Sequence, residues 1–198
     1  ELIPLARAVV RGSQRAMVVA DLPFGSYEAS PELALATSVR FFKESGVMAV
    51  KLEGAHIETV KKLVSSGIPV MGHLGLTTQS MHQLGGYRVQ GRTDGDAILE
   101  AALALEAAGA FAIVLELVPA ELAARITAAL AIPTVGIGAG VNCDSQVLVW
   151  TDLMGITKKA PKLAKAYRNL RAEILAATTE FADDVRAGNF PTEAQTFN

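Results

Sequence analysis

Apolar runs of strand length recur along the chain as RAMVVAD, VMAVKLE, IPVMGH, AFAIVLE, IPTVGIG and QVLVW, most of them separated by segments with helical periodicity. They alternate little between apolar and polar residues, so each must be covered on both faces. That requirement selects a parallel sheet with crossover helices, strand then helix then strand. Helix punctuation agrees: Ser30 and Pro31 can cap and start a helix, Pro119 can start AELAARITAAL, and Gly46 and Gly109 sit where helices should stop. After Lys158 the chain turns rich in Ala, Leu, Lys, Arg and Glu, which predicts a helical segment over 158–187 followed by a loose tail over 188–198.

Internal echoes narrow the architecture. SGVMAVKLE (Ser45 to Glu53) matches AGAFAIVLE (Ala108 to Glu116) in register, and IPVMGH matches IPTVGI from Ile68 and Ile132. Repeated βα units of this kind build a (β/α)8 barrel, and also open doubly wound sheets. The barrel is the expected fold, as a single domain over residues 1–198 with six strands visible where closure needs about eight. Two βα units are therefore expected upstream of Glu1.

Charge and cysteine content limit the partners. A formal net charge of −2 offers no broad basic surface, which argues against nucleic acid and anionic membrane and for small molecules. Cys143 is the single cysteine, which excludes an internal disulfide and fits a reducing compartment, with the cytoplasm expected. No apolar run is long enough to span a bilayer.

In a barrel the chemistry gathers at the C-terminal ends of the strands. The polar residues there are Asp21 after MVVA, Lys51 and Glu53 after VMAV, His73 after IPVMG, and Glu116 after AFAIVL. Each alone reads as a solvated or locally paired group, whereas several on separate strands point to a site. Lys51 and Glu53, two residues apart, share one strand face and form either a local ion pair or half of that site. Asp21 and Glu53 supply hard oxygens with no Cys or His cluster, so the metal they suit is Mg²⁺ rather than Zn²⁺. Lys51 could anchor a substrate carboxylate or form a Schiff base, and a neighbouring carboxylate favours the anchor. At Glu116's repeat the position matching Lys51 is Val114, which suits Glu116 to act as a general base. His73 is either catalytic or a hydrogen-bonded structural group, and His56 and His82 read as surface groups. GGYRVQGR (Gly85 to Arg92) reads as a lid over an anion or as a plain surface loop, and GIGAG as a ligand-hugging turn or a tight βα turn.

Taken in order, VVADLPFGSY, VKLEGA, GIPVMGHLGLTTQS, GGYRVQGR, LELVPAELA and IPTVGIGAG followed by CDSQVLVWTDLMG closely resemble the ketopantoate hydroxymethyltransferases, collinearly from Glu1 to about Pro191. The resemblance implies a (β/α)8 barrel of the phosphoenolpyruvate/pyruvate superfamily, a homodecamer, and the first committed step of pantothenate synthesis. It puts Asp21 on Mg²⁺ and near the keto acid, Glu53 on or close to the metal through water, and Lys51 on the substrate. It puts Glu116 at the family's proton acceptor and His73 at a nearby active-site histidine. Thr78 stands where the family usually has proline and Ser145 where it usually has glycine. The family's first two strands, with an Asp that binds Mg²⁺ and a Ser that binds substrate, have no counterpart in this chain.

The implied reaction transfers a hydroxymethyl unit from 5,10-methylenetetrahydrofolate to 3-methyl-2-oxobutanoate, giving 2-dehydropantoate. In this reading Mg²⁺ stabilises the enolate formed when C3 loses its proton. Two alternatives stay open: a keto-acid aldolase using Lys51 as a Schiff-base nucleophile, and a truncated barrel without catalysis that self-associates through its open strand edges.

Overall fold

The two-sided apolar runs become six parallel strands in the order β1 to β6, each hydrogen-bonded to the next in sequence. They are β1 (Val19–Asp21), β2 (Ala49–Lys51), β3 (Val70–Gly75), β4 (Ala112–Glu116), β5 (Thr134–Ile137) and β6 (Ser145–Gln146). Sequential order in a wholly parallel sheet is the winding of a (β/α) barrel, here with six strands, and not the reversing order of an open doubly wound sheet. The computed structural model describes residues 1–197 and contains two compact units, Glu1–Val147 and the segment from Leu148 onward. The sequence predicts a single domain over residues 1–198.

In the first unit the crossover helices are α2 (Pro31–Ser45), α3 (Ile57–Ser65), α4 (Gly95–Ala107) and α5 (Ala120–Ala129), preceded by α1 (Leu2–Gly12). All five residues of β4 are buried, as a strand covered on both faces must be. Leu63 of α3, Leu105 of α4 and Ile126 of α5 pack with Val50, Val70, Ile113 and Leu115 in one core. Each such side chain contributes about 1.5–3 kcal/mol by leaving water. Helix α2 starts where the sequence says, with Ser30 Oγ accepting the Leu33 N–H at 3.1 Å and Pro31 at its first turn, and Gly46 closes it. Ser30→Ala should cost about 1 kcal/mol by leaving that N–H without its cap, measurable as a lower urea midpoint at unchanged slope.

Asp144 fastens the start of β5 from the next loop. Its Oδ2 accepts the Thr134 backbone N–H at 2.7 Å and the Thr134 hydroxyl at 3.1 Å, and these bonds, the backbone one foremost, hold its carboxyl below the usual range. A depressed carboxyl stabilises the fold above its unfolded-state value and loses that contribution as pH falls through its folded-state value. The melting-temperature gap between wild type and Asp144→Asn should therefore be open at neutral pH and close in acid, below the ordinary aspartate range.

In the second unit α6 (Trp150–Leu153) is followed by turns, then by α7 (Leu170–Ala187) and a short 3₁₀ turn (Glu193–Gln195). The helical segment expected over 158–187 is thus helical only from Leu170. Pro161 interrupts the earlier stretch, and the Asn169 side chain accepts the Ala172 N–H to set the new start. The tail is locally organised, since Thr192 and Gln195 form a reciprocal cap; its last residue, Asn198, lies outside the described residues. Among the described residues no helix is long and apolar enough to cross a membrane.

Candidate active site

The strand ends bring the sequence-selected residues together. Asp21 closes β1, Lys51 closes β2 with Glu53 two residues beyond, His73 lies in β3 and Glu116 closes β4. Asp21 pairs in register with Lys51, and Gly75 with Glu116. The intervening Leu52, Leu74 and Leu115 are buried in the hydrophobic core, so the alternation sorts polar groups to one side of the sheet and apolar ones to the other.

The Lys51 ammonium lies 2.8 Å from Asp21 Oδ1 and 3.1 Å from His73 Nδ1. The ion pair expected as possible between Lys51 and Glu53 forms instead with Asp21. Directly paired strands lie about 4.8 Å apart, whereas residues two apart along a strand are separated by about 6.6 Å, so the cross-strand carboxylate is the nearer partner. An ammonium cannot accept a hydrogen bond, so His73 Nδ1 is the acceptor and the neutral ring carries its proton on Nε2. Nε2 sits 3.3 Å from Glu116 Oε2, close enough for charge to be felt but without hydrogen-bond alignment; among the described residues this buried nitrogen has no hydrogen-bond partner. His73 is thus held on one edge and presents an N–H on the other, beside Glu116.

Glu53 is buried and held at both oxygens. Thr78 Oγ1 donates to Oε1 at 3.1 Å and the Gln79 backbone N–H donates to Oε2 at 2.9 Å, while His73 Nδ1 lies 3.8 Å from Oε1. Thr78, a departure from the resembled pattern, therefore gives Glu53 a donor that a proline could not. Tyr27 joins the same network through its hydroxyl. Burial pushes the Tyr27 phenol well above its ordinary value, partly opposed by its hydrogen bond with the Glu53 backbone, so it stays protonated and able to donate. Tyr27, Thr78 and Gln79 are functional-site residues that the sequence does not single out by pattern. Their signal was weak: polar residues in the loops that follow strands carrying site groups.

Exposure is graded across the cluster, from Asp21 with half its side chain accessible to Glu53 and His73 at 4%. Three carboxylates, Asp21, Glu53 and Glu116, share the region with one ammonium, an excess of negative charge and hard oxygen that fits a small divalent cation. Among the described residues no three His, Cys, Asp or Glu groups converge as a metal cage. What the chain offers is an edge of two carboxylates, Asp21 and Glu53, compatible with an ion completed by water and substrate oxygens.

Other features resolve toward structure. His82 is exposed and His56 is half-buried, its ring edge-on to Tyr27 at 5.4 Å. In GIGAG the close approach is made by the protein itself: a Cβ on Gly136 would lie 2.9 Å from Cys143 Sγ, and one on Gly140 2.6 Å from the Ala120 Cβ. Arg88 of GGYRVQGR is exposed, yet the loop is fastened near the site by Gln90 N–H donating to the Leu117 carbonyl at 2.9 Å. Leu117, next after Glu116, has φ 47°, a left-handed conformation costing about 1–2 kcal/mol for a residue with a Cβ. That bond and Leu117 N–H to the Ile137 carbonyl, also 2.9 Å, hold it there.

Comparison with known proteins shows the family of the chain. A family model for ketopantoate hydroxymethyltransferase matches residues 1–193. The chain is 61% identical over 196 residues to the 3-methyl-2-oxobutanoate hydroxymethyltransferase of Frankia alni, covering 97% of this chain and 65% of that protein. It is 59% identical to the Acidothermus cellulolyticus protein of the same name, covering 100% of this chain and 74% of that one. The chain therefore spans about two thirds to three quarters of the length of these curated relatives. In fold it resembles phosphonopyruvate hydrolase (TM-score 0.53, 14% identity, 99% of this chain and 70% of that one). It is also similar to the phosphoenolpyruvate phosphomutase of Streptomyces platensis subsp. rosaceus (TM-score 0.54, 16% identity, 94% and 67%). Those likenesses are of fold alone.

Proposed function

Because the chain belongs to the ketopantoate hydroxymethyltransferase family, we propose that it serves the transfer of a hydroxymethyl unit from 5,10-methylenetetrahydrofolate to 3-methyl-2-oxobutanoate, giving 2-dehydropantoate. The observation that carries this reading onto the chain's own residues is the Asp21–Lys51–His73–Glu116 series at the strand ends, with Glu53 alongside. Lys51 neutralises the substrate carboxylate, which suits a group already ordered by Asp21 and His73. Glu116 takes the proton from C3, and the C–H electron pair moves into the keto group as an enolate. The enolate carbon bonds to the one-carbon unit, the carbon–nitrogen bonds to folate break, and water supplies the hydroxyl oxygen. His73, with its Nε2–H beside Glu116, steadies that carboxylate before it takes the proton and can pass the proton on afterwards.

Mg²⁺ would be held by Asp21 and Glu53 and would supply positive charge for the keto oxygen as C3 loses its proton. The same orientation of Lys51 weighs against the Schiff-base aldolase, because an ammonium paired with a carboxylate is not a nucleophile. A homo-oligomer, a decamer as the family resemblance implies, is the proposed assembly, and light scattering measures it.

The test is proton exchange without turnover. In deuterium oxide with Mg²⁺ and no folate, the protein should exchange the C3 proton of 3-methyl-2-oxobutanoate, followed by NMR. Borohydride added with the keto acid should leave no adduct on Lys51. An adduct without exchange would replace this reading with the aldolase, and neither adduct nor exchange would support a barrel without catalysis.

A further inference from the structure

Gln79 is fixed at three points. Its backbone N–H donates to Glu53 Oε2 at 2.9 Å, its side-chain Nε2 donates to the Leu22 carbonyl at 2.9 Å, and its Oε1 accepts from the Tyr27 hydroxyl at 2.6 Å. Tyr27 has one proton to donate, and its alternative acceptor, the Glu53 carbonyl, is farther at 3.4 Å. The proton therefore goes to Gln79, which settles which end of the amide is oxygen and directs its nitrogen to Leu22. The Tyr27 oxygen in turn accepts the Glu53 backbone N–H at 3.2 Å. Glu53 is thereby gripped at its main chain by Tyr27 and at its carboxylate by the Thr78–Gln79 turn. Leu22 and Tyr27 follow β1, Glu53 follows β2, and Thr78 and Gln79 follow β3, so one ring of hydrogen bonds, buried at Tyr27 and Glu53 and part-buried at Gln79, ties three loops of the site edge. Tyr27 itself is 2% exposed, so its bond with the Glu53 backbone is shielded from water, while the bonds made by Gln79 are part-buried.

We infer that Tyr27 and Gln79 are positioning residues for Glu53, setting the direction in which its carboxylate meets a divalent cation. This rests on the reading of Glu53 as a Mg²⁺ ligand. Groups that orient a metal-binding side chain commonly change metal affinity by about 10–100-fold when removed.

The test is calorimetric titration of the protein with Mg²⁺ alone, comparing wild type, Tyr27→Phe, Gln79→Leu, the double variant and Glu53→Gln, with thermal melting of each. Tyr27→Phe removes one oxygen and keeps the ring; Gln79→Leu removes the amide but keeps the backbone N–H on Glu53. Each should weaken Mg²⁺ binding by roughly tenfold, and the double variant should lose little more than the worse single, because both break one ring of bonds. Melting temperatures that fall with Mg²⁺ affinity unchanged would make the ring a structural tie only and overturn the inference. Glu53→Gln separates the two levels. If it abolishes Mg²⁺ binding while Tyr27→Phe and Gln79→Leu do not alter it, the inference alone fails; if it leaves Mg²⁺ binding intact, the ligand reading fails and the inference with it.

Discussion

Glu116→Gln is expected to slow exchange of the C3 proton of 3-methyl-2-oxobutanoate by about 10²–10⁴-fold, the usual contribution of a positioned general base. The amide keeps the shape of the side chain at a buried strand end but has no basic oxygen. The neighbouring His73 Nε2, 3.3 Å away, loses a charge beside it but not a hydrogen bond, so the fold should hold. Melting temperature close to wild type with exchange slowed by that factor is the predicted pair of results. Undiminished exchange at an intact fold would remove Glu116 as the base and leave His73 as the group to replace next. The comparison reads chemistry apart from folate binding, because exchange needs the keto acid, Mg²⁺ and the protein but no folate.

Gly75→Ala should be among the most damaging single changes in the chain. Gly75 closes β3 with φ +90°, and a Cβ there would lie 2.1 Å from the Glu116 carbonyl oxygen and 2.7 Å from Val118 Cγ1. The same carbonyl accepts the Leu76 N–H at 2.8 Å, so relief of the clash would part β3 from β4 where Glu116 leaves the ladder. The expected loss is about 4 kcal/mol or more, in the range reserved for overpacked, strained positions. Gly25→Ala is the control: its φ is +84° but its added Cβ would meet nothing within 4 Å. It should cost only the conformational penalty of about 1–2 kcal/mol. Urea unfolding of both variants measures the difference, and equal losses would mean that the contact with Glu116 is not what fixes glycine at this position.

Most of this arrangement is legible in the sequence because burial on both faces leaves a plain mark. VMAV, IPVMG and AFAIVL are apolar throughout, and the polar residues that end them must therefore sit at the sheet's edge, where Asp21, Lys51, Glu53, His73 and Glu116 are found. QVLVW is equally apolar, yet only Ser145 and Gln146 are strand, with Val149 and Trp150 exposed. Apolar content marks a wish for cover and does not by itself fix strand length; among the described residues β6 pairs with β5 over two residues. Helix propensity after Lys158 misled in a similar way, since it is continuous in composition while Pro161 divides it in space.

Partners were less legible than places. Period-two spacing puts Lys51 and Glu53 on one face, but whether they meet each other or their cross-strand neighbours depends on the pairing of β1 with β2. The Tyr27–Gln79 bond joins residues 52 apart in sequence through two loops, and no periodicity reports such a contact. Gln79 has a reason to be glutamine only once Leu22, Glu53 and Tyr27 are known to surround it.

The most direct measurement is the fate of the transferred carbon. Incubating the protein with 3-methyl-2-oxobutanoate, Mg²⁺ and 5,10-methylenetetrahydrofolate labelled with ¹³C in the methylene bridge should give 2-dehydropantoate carrying the label in its hydroxymethyl group, read by NMR and mass spectrometry. That product is expected, and Glu116→Gln should form little of it. Labelled folate left unconsumed, with the keto acid unchanged beside a folded protein, would contradict the assignment of the transfer to this chain.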